Sequence, residues 1–371
     1  MVIDVNNSTP NSPQQAGFTL VEIMTALVIG AILMLGAITI MVNSKDAYET
    51  QDDLARLQEN ARFAMNLLIK DIRMAGYFGC NTDSDNVYDH VDNGAAGNLF
   101  DSSFGLEGLN DYTDGTSTWM PSGATTGAVE NTINYSVGND AITVRYLDPA
   151  TGVTIDEAMP QPSAVLKVDS VGNLVDGQII AVSDCTSTDI MQLTQVMTGS
   201  QSLQHNTGSG VPGNESSQVK FNFPGCNAPN CLSKAYDEGA RVMSIKAVRY
   251  YVEDGALHRL MVSPTADASD ADSEIASQEL VDGVDSLQIT YGRDTTGNGV
   301  ADTYDTADNI AQALWANVST VRLAMLFNTV DGYGQQLDTK TYDVNGVNFD
   351  PADDNRRRRL FTTTVLLRNP Q

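Results

Sequence analysis

The sequence predicts an α+β fold in which one long amino-terminal helix precedes a large antiparallel β-rich domain. Residues 18–75 are predicted as one helix, because an apolar run leads directly into an amphipathic stripe and no Pro or Gly occurs in residues 42–75. Beyond residue 80 the chain is rich in Gly, Asn, Ser, Thr and Asp, and short runs of alternating apolar residues recur among them. That pattern is typical of antiparallel strands joined by turns.

The first half of the predicted helix, residues 18–42, is apolar, and Glu22 is its only charged side chain. About 20 apolar residues span the hydrocarbon core of a bilayer, so this run predicts a transmembrane segment. A carboxylate inside such a run costs roughly 2.5–3.5 kcal/mol on insertion scales. Glu22 is therefore either a tolerated interfacial residue of an ordinary anchor or a residue with a specific partner.

The second half, residues 43–75, is amphipathic. Its apolar residues recur at steps of three and four: Leu54, Leu57, Ala61, Ala64, Leu68, Ile72 and Ala75. Such a stripe packs on a core, so we expect it to contact the globular domain, with a coiled-coil partner as the alternative. Gly76 ends the pattern.

The β-rich part is predicted from apolar runs bounded by turn residues. Asp254-Gly255 lies between two such runs and indicates a tight hairpin. Residues 81–135 show little periodicity apart from one short element at 104–109. Strands are predicted at residues 141–147, 164–168, 178–182, 190–196, 218–223, 240–252, 256–262, 284–291, 318–328 and 360–368.

Charge and motif content exclude several functional classes. The chain of 371 residues has 47 acidic and 21 basic residues, a net charge of −26. So acidic a chain lacks the basic surface expected of a nucleic-acid-binding protein, and adsorption to anionic lipid is disfavoured as well. No hydrolase, metalloprotease or phosphate-loop motif occurs, and His90, His205 and His258 are scattered along the chain. We therefore expect no enzymatic activity and no catalytic residue.

Four cysteines indicate disulfide bonds in an exported protein. Cys226 and Cys231 are close in sequence and favour a small closed loop, which leaves Cys80 to pair with Cys185. A zinc site is the alternative, and it is weaker because the spacing differs from that of zinc-binding motifs.

Residues 294–305 have the oxygen-ligand spacing of a calcium loop, with Gly299 at the position of the sharp turn. The candidate ligands are Asp294, Thr296, Asn298, Val300 through its carbonyl, Asp302 and Asp305. The loop is similar to dockerin-type loops, although Asp305 replaces the usual bidentate Glu. The alternative interpretation is a solvated turn between two strands, where these residue types are common.

Four consecutive arginines occur at residues 356–359, just before the last predicted strand. One interpretation is an exposed loop that balances Asp350, Asp353 and Asp354. The other is a docking patch for an acidic neighbour or, as a weaker alternative, for DNA.

The sequence GFTLVE at residues 17–22, followed by the apolar run, resembles the processing site of type IV prepilins. The resemblance implies that residues 1–17 are a leader, and that a prepilin peptidase cleaves between Gly17 and Phe18. It also implies that the new amino-terminal Phe18 is N-methylated, and that Glu22 pairs with the terminal amine of a neighbouring subunit.

Residues 54–80 and the sequence ELVDGVDSLQITYGRD at 279–294 resemble PilW-type minor pilins. The resemblance implies a pilin-like fold, with a leader (1–17), a transmembrane and filament-core half-helix (18–42), an amphipathic half-helix (43–75) and an extracellular domain (76–371). The implied protein lies in the inner membrane before assembly and in the pilus afterwards. It would prime pilus assembly at or near the tip.

The implied partners are prepilin peptidase, other minor pilins, the major pilin and a tip adhesin. A J-type pseudopilin of a type II secretion system is the alternative, because it shares all the amino-terminal features. A membrane-anchored enzyme or receptor is a third hypothesis.

Overall fold

The computed structural model describes residues 17–80, 86–91, 104–114, 117–120, 122, 133–207, 213–215, 228, 230–264, 273–332 and 336–369. The chain divides into two compact units, Met1–Asp52 and Asp53–Gln371. The division lies within the helix, because the second half of the helix contributes to the core of the second unit.

A single helix, α1, runs from Leu20 to Met74, and this confirms the predicted helix to within two residues at each end. It stops because Gly76 takes a left-handed conformation at φ +74° and donates its N–H to the carbonyl of Arg145 at 3.0 Å. A side chain at position 76 would also meet the carbonyl oxygen of Asn369 at 2.8 Å, so only glycine fits there.

Among the described residues, eleven strands form one sheet that is antiparallel except for the pair β1–β6. The central path is β1-β6-β5-β9-β3-β4-β8-β7; β10 pairs with β9 and β11, and β2 pairs with β3. The strands are β1 Val87–Asp89, β2 Leu106–Leu109, β3 Ala141–Glu157, β4 Leu166–Val168, β5 Ile179–Ser183, β6 Thr188–Gln192, β7 Gln195–Met197, β8 Ser202–Gln204, β9 Arg241–Glu253, β10 Ala256–Pro264 and β11 Ser273–Asp282.

A second sheet of four strands has the order β13-β12-β14-β17. A two-stranded hairpin, β15–β16, packs against it through the small apolar cluster of Ala324, Leu326 and Val344. The strands are β12 Val284–Arg293, β13 Thr303–Asp305, β14 Val318–Asn328, β15 Tyr342–Val344, β16 Val347–Phe349 and β17 Arg358–Leu366, and short 3₁₀ turns lie at Ala307–Asn309 and Gln312–Asn317.

The amphipathic half of α1 packs inside the second unit, on apolar side chains from both sheets. Six of the seven residues of the predicted stripe are buried there, and Leu54 at its start is half-buried. The stripe is thus an intramolecular packing face. A buried carboxylate, Asp71, joins the helix to the large sheet: it accepts hydrogen bonds from the hydroxyls of Tyr146 at 2.9 Å and Tyr250 at 2.5 Å.

Two predicted strands do not correspond to a single described strand. The strand predicted at 190–196 is two strands, β6 and β7, because Leu193 and Thr194 form a corner and donate to Gln178 and Gln204. The strand predicted at 218–223 lies outside the described residues. Strand β11 was not predicted, since its sequence SEIASQELVD does not alternate regularly.

Candidate functional sites

The Gly17–Phe18 bond lies outside the helix, which begins only at Leu20. Phe18 is 83% exposed, and no atom lies within 4 Å of the position that a side chain on Gly17 would occupy. Exposed chain without backbone hydrogen bonding is where proteolytic cleavage concentrates. Among the described residues, nothing therefore covers the predicted scissile bond.

Thr19 and Glu22 form a reciprocal cap at the start of α1. The backbone N–H and the hydroxyl of Thr19 each donate to Glu22 Oε2 at 2.9 Å, and the Glu22 N–H donates to Thr19 Oγ1 at 3.3 Å. This is the geometry of a capping box, which satisfies amide donors that have no partner within the helix. Glu22 Oε1 accepts no hydrogen bond from any described residue, so one carboxylate oxygen remains for another partner.

The apolar half of α1 is exposed along its whole length. Within the described chain it is the one helix that is long and apolar enough to cross a membrane, with a mean hydropathy of 2.5 in an 18-residue window. Ala26 and Gly30 are four residues apart on this exposed helix, and nothing lies within 4 Å of a side chain built on Gly30. Small residues at this spacing allow another helix to approach closely.

Cys80 and Cys185 form a disulfide, the pairing that the sequence favours. It ties the segment after α1 to the turn between β5 and β6. Cys231 is also disulfide-bonded, and its predicted partner Cys226 lies outside the described residues.

The predicted calcium ligands do not converge. The Asp294 carboxylate accepts hydrogen bonds from four backbone N–H groups at 2.6–3.2 Å, those of residues 296–299. Desolvation raises the pKa of Asp294, but these donors outweigh it together and hold the pKa below its ordinary value. Asp302 instead accepts from Thr295, and Asp305 pairs with Arg293 at 2.5 Å.

Val300 is 64% exposed, and its N–H donates to the Asn298 side chain. In the described part of the chain, no three His, Cys, Asp or Glu residues are grouped so that they could hold a metal. The residues as placed fit a turn closed by backbone donors better than a calcium site.

The four arginines are not equivalent. Arg358 is 3% exposed and pairs with Asp285, Asp338 and Asp354, three carboxylates from separate segments. Arg356 is half-buried, and its guanidinium lies 4.0 Å from the same Asp354. The run was expected to balance Asp350, Asp353 and Asp354; among the described residues, Asp354 is the one of the three that forms an ion pair with it.

Arg359 lies on the opposite side of strand β17 from Arg358, at a groove of about 650 Å³ between the strand and the second half of α1. Arg62, Met65 and Ile69 line its helix side, and Arg359 and Phe361 belong to its strand side. We name this feature the α1–β17 groove. No sequence pattern predicts this groove, because its two walls are about 300 residues apart in the chain.

A buried polar cluster surrounds Asp189. Its carboxylate accepts hydrogen bonds from the hydroxyls of Ser233 and Tyr236 at 2.5 Å, and His90 Nε2 lies 2.6 Å from it. Serine and histidine therefore contact the same carboxylate, whereas in a hydrolytic triad the histidine lies between them. The cluster ties the segment near Cys231 to strand β6.

Two family models match parts of the chain. A family model described as type IV pilus-assembly protein W matches residues 249–369, which hold the β9–β10 hairpin and the four-stranded sheet. A model of the prokaryotic N-terminal methylation motif matches residues 12–38. Among solved structures, the type IV-like pilin TTHA1219 from Thermus thermophilus matches 85% of this chain and 96% of its own, with 10% identity and a TM-score of 0.32. No curated protein is significantly similar in sequence.

Proposed function

We propose that the chain is a minor pilin of the PilW family that is cleaved after Gly17, N-methylated at Phe18 and assembled near the pilus tip. The observation that carries the proposal is the start of α1, where an exposed, non-helical Gly17–Phe18 bond is followed by a capped and fully exposed apolar helix. The pilin family points to a structural role.

The size of the second unit supports a position near the tip. It comprises Asp53–Gln371, and a body this bulky would crowd a repeating lattice built on closely packed helices. At the tip one subunit meets fewer neighbours, so a large domain is accommodated there. The partners we propose are prepilin peptidase, the other minor pilins, the major pilin and a tip adhesin. Before assembly the apolar half of α1 anchors the chain in the inner membrane.

Intact mass and amino-terminal sequencing test the processing step. We expect a chain that begins at methylated Phe18 when it is made in cells with a prepilin peptidase, and an uncleaved chain without it. Gly17→Ala should leave the uncleaved chain in the membrane in both strains. If the wild-type chain is uncleaved in both, residues 17–22 are part of an ordinary anchor and the proposal fails.

Two substitutions at Glu22 separate its helix-capping role from docking to a neighbour. Gln in place of Glu keeps an acceptor for Thr19, as in capping boxes that end in Gln, but removes the charge. If the charge pairs with a neighbour's terminal amine, Glu22→Gln and Glu22→Ala should both reduce the number of pili although the protein remains in the membrane. If only Glu22→Ala has this effect, Glu22 acts through the cap and not through docking.

Antibody labelling against the second unit tests the position in the filament. A minor pilin near the tip gives label at filament ends, whereas label along the shaft contradicts the proposed position. Label confined to a short periplasmic filament, with no surface pili, would identify the chain as a J-type pseudopilin instead.

A further inference from the structure

The α1–β17 groove runs beside an open sheet edge. Strand β17 is the last strand of the order β13-β12-β14-β17, and among the described residues it pairs only with β14. The helix wall of the groove is the side of α1 next to its buried stripe, and the strand wall is β17 itself. All lining residues belong to the second unit.

The backbone of β17 has hydrogen-bonding groups on this edge that pair with no described residue. The N–H of Leu367 donates to Ser319 beside β14, and the carbonyl of Arg357 accepts from Thr329. Odd-numbered residues therefore direct their backbone groups at β14, because successive residues of an antiparallel strand alternate sides. The N–H and C=O groups of Leu360, Thr362 and Thr364 consequently point away from the sheet.

This edge has few of the features that protect exposed strands from pairing. Natural edges are kept short or interrupted by Pro, bulges or inward-pointing charges. Strand β17 has nine residues, contains no Pro, and pairs with β14 in unbroken register from Thr320↔Leu366 to Asn328↔Arg358. Its charged residues, Arg358 and Arg359, lie together at one end. Such an edge is a template for another strand.

The charges at the groove indicate which side chains a strand that pairs with this edge would have. Arg62 and Arg359 line the groove, both are exposed, and neither forms an ion pair with a described residue. Arg359 lies over the ring of Phe361 at 5.6 Å, which holds its cationic group at the groove. Glu59 is the acidic lining residue, so the lining has one net positive charge in a chain of net charge −26.

We propose that the α1–β17 groove binds an extended, acidic strand of a neighbouring pilin subunit. The strand extends the four-stranded sheet by pairing with the outward backbone groups of β17. Its carboxylates meet Arg62 and Arg359, and its apolar side chains pack on Met65 and Phe361. Strand addition of this kind obtains affinity from main-chain hydrogen bonds and specificity from side-chain pockets. The inference rests on the proposed function, since it supposes that the chain assembles with other pilins.

Site-specific photo-crosslinking in pilus-assembling cells tests the proposal. A p-benzoylphenylalanine in place of Thr362, an exposed residue that lines the groove, should form an adduct with another pilin subunit. Peptide mapping should place the adduct in an extended segment that contains Asp or Glu. An adduct with a segment of the same chain, or with a partner segment that has no carboxylate, would overturn the proposal.

Two arginine variants provide a matched pair. Arg359→Glu should lower the adduct yield at least tenfold, whereas Arg356→Glu, which reverses a charge outside the groove lining, should change it less than twofold. Replacing the partner's crosslinked acidic residue with Arg should restore the adduct of Arg359→Glu. Equal loss from both variants would mean that overall charge, and not the groove, governs the contact.

Thr364→Pro tests the backbone pairing. The N–H of Thr364 points away from β14. Proline at this position therefore removes an outward donor without removing a hydrogen bond between β17 and β14, as in natural edge strands. We expect loss of the adduct without loss of the membrane-anchored protein. An unchanged adduct would show that the partner does not pair with the edge.

A second probe distinguishes failure of this inference from failure of the proposed function. Leu33 is 69% exposed on the apolar half of α1, where a filament would bring neighbouring helices into contact. If p-benzoylphenylalanine at Leu33 gives adducts with other pilins and the probe at Thr362 gives none, the groove proposal fails alone. If neither position gives one, the chain does not assemble with pilins and the proposed function fails as well.

Discussion

Replacing Arg358 with Met should destabilise the second unit, although the residue lies within a run that resembles an exposed basic loop. Its guanidinium donates to Asp285 at 2.7 Å and to both oxygens of Asp354 at 2.7 and 2.9 Å. It also lies 3.5 Å from Asp338. These carboxylates come from the start of β12, the segment before β17 and the segment before β15. Methionine preserves the length of the side chain but leaves the three carboxylates without their shared cation.

The expected cost follows from the burial of these groups. Breaking a buried ion pair on one side costs about 3–5 kcal/mol, because a charge remains without compensation. Asp354 is 30% exposed and can be hydrated, whereas Asp338 is only 7% exposed. We therefore expect the lower end of the range, about 3 kcal/mol. At roughly 2–4 °C per kcal/mol this corresponds to a fall in melting temperature of about 6–12 °C.

Urea and thermal unfolding of the full chain in detergent, followed by circular dichroism, measure this effect. The matched control is Arg357→Met in the adjacent position, where the structure shows hydrogen bonds only from the backbone. The control should change the free energy of unfolding by less than about 0.5 kcal/mol. If Arg358→Met is as mild as the control, the three carboxylates do not depend on Arg358 and the reasoning fails.

Three further predictions concern other parts of the second unit. Asp294→Ala should lower the melting temperature by the same amount in calcium and in EDTA, because the carboxylate accepts hydrogen bonds from backbone N–H groups. An effect seen only in calcium would instead support a calcium site in this loop. Leu68→Ala should cost about 2–5 kcal/mol in urea unfolding, as the side chain is fully buried, whereas Leu33→Ala on the exposed half of α1 should leave that transition unchanged. Burial raises the pKa of the Asp140 carboxyl from 3.8 to about 7. The folded chain therefore binds the carboxyl proton more tightly than the unfolded chain does. The stability that this protonation adds below pH 4 is lost as the pH rises towards 7. Comparison of wild type with Asp140→Asn across pH 4–8 measures this loss, and parallel curves would contradict it.

The long helix was predictable because both of its halves follow local rules. An apolar run needs no tertiary information to be read, and the stripe from Leu57 to Ala75 repeats with the period of a helix. Gly76 marked the end for an equally local reason, since its φ of +74° suits a residue without a side chain. Asp254-Gly255 likewise predicted its hairpin, and both residues have positive φ.

Two of the missed elements differ in the signal that their sequences carry. The β15–β16 hairpin had a signal that was not used, because Asn345-Gly346 is a strong turn dipeptide and both residues have positive φ. Strand β11 had no such signal. It is held by its pairing with β10, and pairing between strands is a tertiary property that overrides weak local preference.

The calcium prediction shows where spacing stops being informative. The pattern of oxygen-bearing residues in 294–305 is present, but each carboxylate has a different partner. Asp305 lies on β13, and the register of that strand against β12 places it at Arg293. A ligand set needs several side chains to converge on one point, and that convergence depends on a strand pairing that the loop sequence does not encode.

The arginine run is a second case in which the sequence pattern alone does not predict the role of each residue. Both interpretations of the sequence treated the four residues as one patch, whereas β17 begins within the run, at Arg358. A strand turns successive side chains to opposite faces, so one step along the chain separates Arg358, among three carboxylates, from Arg359, at the groove. One position therefore stabilises the fold while its neighbour remains for a partner. A charge reversal at Arg359 should affect assembly and one at Arg358 should affect folding, and this difference between adjacent residues is expected only if the strand begins where the structure places it.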